Sequence, residues 1–284
     1  MTAPAAPVDP YALGRDGLAA LLADQPRYRA AQVWRWLVRG VDDPREMTDL
    51  PAAVRERLPA ALIPPPTVLR STTADGGLPH KVLLRCGGGE AVESVLMLYP
   101  GTAGAAGRAT VCVSTQAGCA MGCPFCATGQ AGLRGQLGVG EIVRQVTVMQ
   151  RRLATGAVAG DGIPDHVTNV VFMGMGEPLA NLDATVAAVR WLHDPDGFAL
   201  SARAITVSTV GLVPGIRRLA DLGLPITLAV SLHAPDDGLR DDLVPVNRSH
   251  PLAELLAACR DYRERTGRRL TFEYVLIDGV NGSV

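Results

Sequence analysis

Hydrophobic positions recur at helical spacing through the first part of the chain. Leu18, Leu21 and Leu22, then Ala30, Val33, Trp34 and Leu37, then Val54 and Leu58 lie three or four apart, which predicts helices burying one face across residues 13 to 60. The run Pro64-Pro65-Pro66 ends this pattern, because proline fixes φ and has no amide to donate. Lys81 to Leu84 and Val92 to Tyr99 then read as strands, with Gly87-Gly88-Gly89 turning one into the other. Residues Gly101 to Gly107 read as a flexible Gly/Ala stretch.

From residue 109 strands and helices alternate. Ala109 to Thr115, Val167 to Met173, Ala204 to Val210, Ile226 to Leu232 and Leu270 to Ile277 are predicted strands. Between them, Ile142, Val146, Met149 and Leu153 share a helical face, as do Leu182, Val186, Val189 and Leu192, and Leu252, Leu255, Leu256 and Cys259. Such alternation predicts a parallel sheet with right-handed crossovers, an α/β fold. The expected division is a helical domain at 1–65, a β-hairpin segment and linker at 66–104, and an α/β core at 105–284. Ligands of α/β folds gather at the carboxyl ends of the strands, so the residues just past each strand are the candidates for function.

A hydrophobic fraction of 48% in 284 residues can fill a real core. The formal charge of −1 excludes a uniformly basic nucleic-acid binder but leaves room for a local basic groove. Lys81 is the sole lysine, so nearly all positive charge is carried by arginine. Six cysteines with three crowded together do not resemble a disulfide framework, which favours a reducing compartment. The start Met1 to Pro7 lacks a basic segment followed by an apolar run, so no signal peptide is expected. The longest apolar runs fall short of the roughly 18 residues a membrane span needs, and a cytoplasmic protein is expected.

The crowded cysteines are Cys119, Cys123 and Cys126, in the run Gly118-Cys119-Ala120-Met121-Gly122-Cys123-Pro124-Phe125-Cys126. Three thiolates from one tight loop suit a metal centre that keeps a position open, since a structural zinc site is closed by four ligands. Met121, Pro124 and Phe125 could wrap such a centre and limit water. On spacing alone, zinc completed by Cys112 or a histidine stays open. After the second core strand, Gly174 and Gly176 let main chain approach a ligand, and Glu177 can accept from an ammonium. Ser208 ends the third strand and Ser231-Leu232-His233 the fourth; an isolated strand serine is more often structural. Cys86, Cys112 and Cys259 read as small buried hydrophobes.

The C-x3-C-x2-C loop after a first barrel strand resembles the signature of the radical S-adenosylmethionine (radical SAM) enzymes. Three longer strings, Cys112 to Cys119, Val171 to Pro178 and Ser231 to Pro235, are similar to the RlmN family of dual-specificity RNA methyltransferases, and the likeness runs from Tyr28–Trp36 through Glu273–Asp278. The resemblance implies a partial (β/α) barrel in which Cys119, Cys123 and Cys126 hold one 4Fe-4S cluster. It implies that Gly176, Glu177, Ser208, Ser231, Leu232 and His233 contact S-adenosylmethionine, two molecules of which are used per turnover. One loads a methyl group onto a C-terminal cysteine, and the other supplies a 5′-deoxyadenosyl radical that activates that methyl for addition to C2 of an adenosine.

The implied substrates are 23S rRNA at the peptidyl-transferase centre and the adenosine 3′ of some tRNA anticodons. The carbon C2, flanked by two ring nitrogens, is too electron-poor to attack a methyl sulfonium, which is why radical chemistry is needed. By resemblance Cys112 resolves the enzyme-RNA adduct through a disulfide and Glu93 removes the C2 proton; from the residues alone Glu93 could equally be a solvent-facing strand position. Residues 1–65, with Arg29, Arg35, Arg39 and Trp34, would dock RNA, although nine arginines against eight acids before residue 71 do not show it and Trp34 also suits a core. An electron donor such as flavodoxin and a monomeric state are expected. Alternatives are a Cfr-type C8 methyltransferase and a zinc-stabilised RNA-binding protein without catalysis. Against the family pattern the sequence stops after the fifth barrel strand. The expectation is a truncated record, or a chain without turnover, lacking the last strand, a cosubstrate asparagine and the methyl-carrying cysteine, and poorly soluble in isolation.

Overall fold

The computed structural model describes residues 7–282, so the stretch read for a signal peptide lies outside the described residues up to Ala6, as do Ser283 and Val284. In chain order the elements are α1 (Pro10–Leu21), α2 (Tyr28–Val38), α3 (Ala52–Ala61), β1 (Thr67–Thr73), β2 (Pro79–Arg85), β3 (Ala91–Tyr99) and β4 (Arg108–Cys112). There follow β5 (Gln116–Gly118), α4 (Ala127–Gln130), β6 (Leu133–Gln136), α5 (Val139–Ala154), β7 (Asn169–Phe172) and α6 (Leu182–His193). The last are β8 (Ile205–Thr209), α7 (Val213–Asp221), β9 (Thr227–Ser231), α8 (Asp237–Leu243), α9 (Leu252–Thr266) and β10 (Leu270–Glu273). Two compact units share them: one of residues up to Val111 with Gly138–Asn169 and Val186–Leu200, the other of Cys112–Leu137, Val170–Thr185 and Ser201 onward.

In the first unit the helical periodicity buries Leu18, Val33, Leu37, Val54 and Leu58. Asp9 starts α1 by accepting from the Tyr11 amide at 3.0 Å, which satisfies one of the donors a helix start leaves open. Trp34 is core: its indole N–H donates to the Asp196 carbonyl at 2.7 Å, and its ring lies 5.4 Å from that of Trp191. A polar cluster lies beside it. Tyr11 donates to Asp42, Arg144 Nε stands 3.3 Å from the same carboxylate, and Arg144 Nη2 donates to the Ile63 carbonyl at 2.8 Å.

The expected hairpin is β2 against β3, with Leu83 opposite Glu93. Strand β1 adds to it antiparallel, Ser71 opposite Val82, and was not legible because almost all of its side chains are exposed and no alternation marks it. The Gly101 to Gly107 stretch, read as flexible, is a tight turn instead. Thr102 and Ala105 exchange main-chain hydrogen bonds of 3.0 and 2.9 Å, and the Gly101 amide donates to the Gly162 carbonyl at 2.9 Å, which fixes the turn.

The second unit has the expected parallel order β7-β8-β9-β10, with Val171 beside Thr206, Val207 beside Leu228 and Phe272 beside Val230. Phe172, Val207, Leu228 and Val230 are buried within it, as are Ile216 of α7 and Leu255 and Tyr262 of α9. Two strand expectations need correction. The strand placed at 109–115 ends at Cys112, and after it the Thr115 amide turns to the Met175 carbonyl at 2.9 Å. The strand placed at 270–277 ends at Glu273, because side chains take over the following main chain. Val275 N–H donates to His233 Nδ1 at 3.1 Å, Ile277 N–H to Asn281 Oδ1 at 2.6 Å, and the Asn281 amide donates to the Val275 carbonyl at 2.7 Å. Phe272, Val275 and Leu276 are exposed there. Among the described residues no helix is long and apolar enough to cross a membrane.

Candidate active site

The cysteine loop is stapled at its base. β5 and β6 pair antiparallel on either side of it, Gln116 opposite Gln136, and the Cys119 amide donates to the Gly132 carbonyl at 3.0 Å. Gly118, at φ +76, makes this approach possible: a Cβ there would stand 1.9 Å from the Gly132 oxygen. Within the loop the Cys126 amide donates to the Cys123 carbonyl at 3.1 Å. Two polar side chains brace the base. Asn181 donates to the carbonyls of Thr115 and Leu137, both at 2.8 Å, and the buried Gln116 donates to Gln136 at 2.9 Å while accepting from the Glu177 amide at 2.8 Å.

A cavity of about 290 Å³ opens over this loop. Cys119, Cys123 and Cys126 line it together with Gly176, Glu177, Ser208, Ser231 and His233, so eight of the predicted residues, drawn from four strand ends, meet in one place. Leu232 does not line it; its amide donates to the Glu273 carbonyl at 2.9 Å, as β9 continues beside β10. Gly176 has φ +97, and a Cβ there would meet the Gln116 side chain at 2.5 Å, so only glycine fits. Ser208 donates to the Phe172 carbonyl at 2.6 Å. His233 sits in the left-handed region at φ +61, held by the Val275 amide on Nδ1 and by Asn281, which donates to its carbonyl at 2.8 Å. With Nδ1 accepting, the neutral ring carries its proton on Nε2. Phe125 packs edge-on to that ring at 5.1 Å.

Burial dominates the electrostatics. It pushes the Cys119 thiol up and that of Cys123 to about 11, the latter also through its neighbours Cys126 and Cys119. Metal binding here must therefore displace protons, as it does wherever thiols become ligands. Glu177 is fully buried. Desolvation pushes its carboxyl to about 7 against the pull of the Val210 and Leu179 amides and the Thr209 hydroxyl. Its two oxygens accept from Leu179 at 3.0 Å and from Val210 at 2.8 Å, which starts the turn after β7 and ties it to the end of β8.

A sulfur-only trio in a largely apolar cavity, beside a carboxyl and hydroxyls, fits an iron-sulfur cluster with an amino-acid cosubstrate. Among the described residues no group of three or more His, Cys, Asp or Glu side chains is gathered closely enough to hold a single metal ion. Cys112 lies outside the lining. Burial pushes its thiol to about 11, partly offset by the Met173 amide, and Met173 does line the cavity. Cys86 and Cys259 are buried, with thiols raised by burial to about 12 and about 11. Glu93 does not line the cavity either. It stands on the exposed face of β3, between buried Val92 and Ser94, with Lys81 Nζ at 2.9 Å.

Comparison with known proteins identifies the family of the chain. Residues 113–283 match the Radical SAM superfamily, and residues 13–63 match the ribosomal RNA large subunit methyltransferase N-terminal domain. A crystal structure of a radical SAM methyltransferase from Sphaerobacter thermophilus superposes with a TM-score of 0.89 at 49% identity, covering 98% of this chain and 79% of that one. The fold and the site thus define a radical SAM protein. Proteins described as probable dual-specificity RNA methyltransferase RlmN are 55% identical in Parafrankia sp. (strain EAN1pec), over 91% of this chain and 68% of the relative, and 54% in Salinispora tropica, over 94% and 71%. A third, from Frankia casuarinae, is 54% identical over 93% of this chain and 62% of its own length. The chain belongs to the RlmN family and spans roughly two thirds of the length of these relatives.

Proposed function

We propose that the chain carries the catalytic core of a radical SAM RNA methyltransferase acting at C2 of adenosine in 23S rRNA and in tRNA. The observation that carries this reading is the convergence of Cys119, Cys123 and Cys126 with Gly176, Glu177, Ser208, Ser231 and His233 on one cavity. A 4Fe-4S cluster with S-adenosylmethionine would supply one-electron chemistry there, two cosubstrate molecules being used per turnover. The three cysteines hold the cluster, and Phe125 and Met121 shield it from water. Glu177 would receive the cosubstrate ammonium, while Ser208, Ser231 and His233 would orient its remaining polar groups; Leu232, whose amide and carbonyl are taken by Glu273 and Arg240, would hold the strand end beneath them. An ammonium at Glu177 would favour the ionised carboxyl and offset the burial that pushes its titration up to about 7.

Cys112 would resolve the enzyme-RNA adduct, and Glu93 would take the C2 proton, with Lys81 holding the carboxylate. The methyl-carrying role is assigned to none of the six cysteines, since Cys86 and Cys259 are committed to packing. Residues 1–65 would dock RNA, 66–104 form the β-hairpin segment and linker, and 105–284 the radical SAM core. The exposed Arg35 and the cation–π pairs of Arg29 on Tyr28, at 4.7 Å, and Arg39 on Trp36, at 5.5 Å, offer charge and aromatic surface to a phosphate backbone. A monomer in the cytoplasm reduced by a flavodoxin-like donor completes the reading.

Anaerobic reconstitution tests it. The protein should turn brown with about four irons per chain and release 5′-deoxyadenosine when reduced with S-adenosylmethionine, and Cys119→Ala should lose both. One zinc and no iron would overturn it. Mass spectrometry of digested RNA, by locating the methyl, separates C2 from the Cfr-type C8.

A further inference from the structure

Behind the cavity wall, α8 carries Arg240. It sits in an acid-rich run from Asp236 to Asp242, yet its side chain is 0% exposed. Nε donates to the Leu232 carbonyl at 3.0 Å, Nη2 to the carbonyls of Val210 at 2.8 Å and Ser231 at 3.0 Å, and Nη1 to Asn247 Oδ1 at 2.8 Å. The three carbonyls lie at the ends of β8 and β9, where Val210, Ser231 and His233 line the cavity. Asn247 is fixed in turn: its amide donates to Asp237 at 2.9 Å and to Asp241 at 2.7 Å.

Val210 is gripped from both sides. Its carbonyl accepts from Arg240 while its amide donates to Glu177 at 2.8 Å. The same helix reaches the cysteine loop, since Leu243 and Val244 are buried against Cys123, with Met121 and Cys126 at the edge of that contact. One side chain thus ties two strand ends, and its helix backs the metal loop.

We infer that Arg240 is a positioning residue for the cofactor site, setting the β8 and β9 ends around the cosubstrate and placing a fixed positive charge behind the cysteine loop that raises the bound cluster's reduction potential. This rests on the reading that the cavity holds the cluster and S-adenosylmethionine. Its four direct acceptors are neutral oxygens; burial lowers the guanidinium's pKa, while the carboxylates of Asp237 and Asp241 and the thiols of Cys123 and Cys259 act on it in the opposite direction. A buried cation near a cluster favours its more negative, reduced form. Lysine could keep the charge but not the planar fork that reaches three carbonyls at once.

The test compares the wild-type chain with Arg240→Lys, Arg240→Met and Asn247→Ala, each reconstituted anaerobically. Iron content, S-adenosylmethionine affinity and the cluster potential from an EPR-monitored titration are measured. A wild-type chain that takes up no cluster and binds no S-adenosylmethionine defeats the underlying reading, whatever the variants do. With the wild type loaded, Arg240→Lys should bind S-adenosylmethionine roughly tenfold or more weakly, the size of a lost charge-assisted hydrogen bond, and keep its potential. Arg240→Met should bind as weakly and be harder to reduce. Asn247→Ala, which leaves the guanidinium in place, should weaken binding a few-fold at unchanged potential, and it carries the binding test if Arg240→Met does not fold. Wild-type affinity in the Lys and Ala variants, or an unchanged potential in a folded Arg240→Met, overturns the inference.

Discussion

Among the described residues two arginines are buried, Arg144 and Arg240, and they are satisfied in different ways. Arg144, in the first unit, faces the Asp42 carboxylate at 3.3 Å and stacks over Tyr11 at 5.3 Å. Arg240, in the second, donates to three main-chain carbonyls and an amide. The buried carboxyl nearest in role, Glu177, is likewise held by main-chain amides. Where charge is paired with charge, the field is cancelled and the pair serves the fold. Where a charge is held directly by neutral dipoles, as at Glu177 and Arg240, no carboxylate–guanidinium contact cancels it, although Asp237 and Asp241 act on Arg240 from one residue further out.

The sharpest way to break this contrast is to remove one partner of the paired site. Asp42→Ala should destabilise the protein by about 3–5 kcal/mol, because it strands a buried guanidinium. Asp42→Asn with Arg144→Met should recover much of that loss, and urea unfolding of the three proteins checks it; equal costs for the single and double changes would erase the difference between the two arginines.

The next effect belongs to Glu177 and appears with pH. Its folded carboxyl titrates at about 7 against the usual 4.5, so between these values the folded chain keeps a proton that the unfolded chain has lost. Stability of the metal-free protein is therefore greatest below the usual value and falls as pH rises through about 7, by about 3 kcal/mol in all. Unfolding series from pH 5 to 8 should show this slope, and bound S-adenosylmethionine should flatten it.

Smaller still, Asn247→Ala should cost about 1–2 kcal/mol, since it removes one acceptor of Arg240 and two donors to acids while leaving the carbonyl fork. The exposed pair of Lys81 and Glu93, at 2.9 Å, sets the floor: Lys81→Ala should change stability by less than about 0.5 kcal/mol, because both partners are nearly half-exposed and solvent screens them. A larger loss there would mean that exposure does not separate these ion pairs from the buried ones.

The sequence shows the ligands of the site far better than their supports. Cys119, Cys123 and Cys126 announce themselves by spacing, and Glu177, Ser208, Ser231 and His233 by falling at or just past the ends of strands whose apolar runs are plain. Helices α5 and α9 were legible for the same reason, a long single-faced period. Arg240 was not, because a lone arginine among four acids, Asp236, Asp237, Asp241 and Asp242, has the composition of a solvated helix. Its place on the inner face, one turn before Leu243 and Val244, is fixed by contacts with strands distant in sequence. Gln116 lay inside a string that drew notice, yet its task of joining Gln136 to the Glu177 amide depends on a loop returning sixty-one positions later. The early end of β10 was equally hidden, since the hydrogen bonds that replace the ladder come from His233 and Asn281.

The grip on Val210 also has a consequence in time. The cysteine loop leaves the ribosome well before α8, and the wall that backs Cys123 cannot close until Arg240 has found the ends of β8 and β9. Until then the three thiols lack the cover that Leu243 and Val244 give Cys123, a cover that depends on contacts between segments distant in sequence.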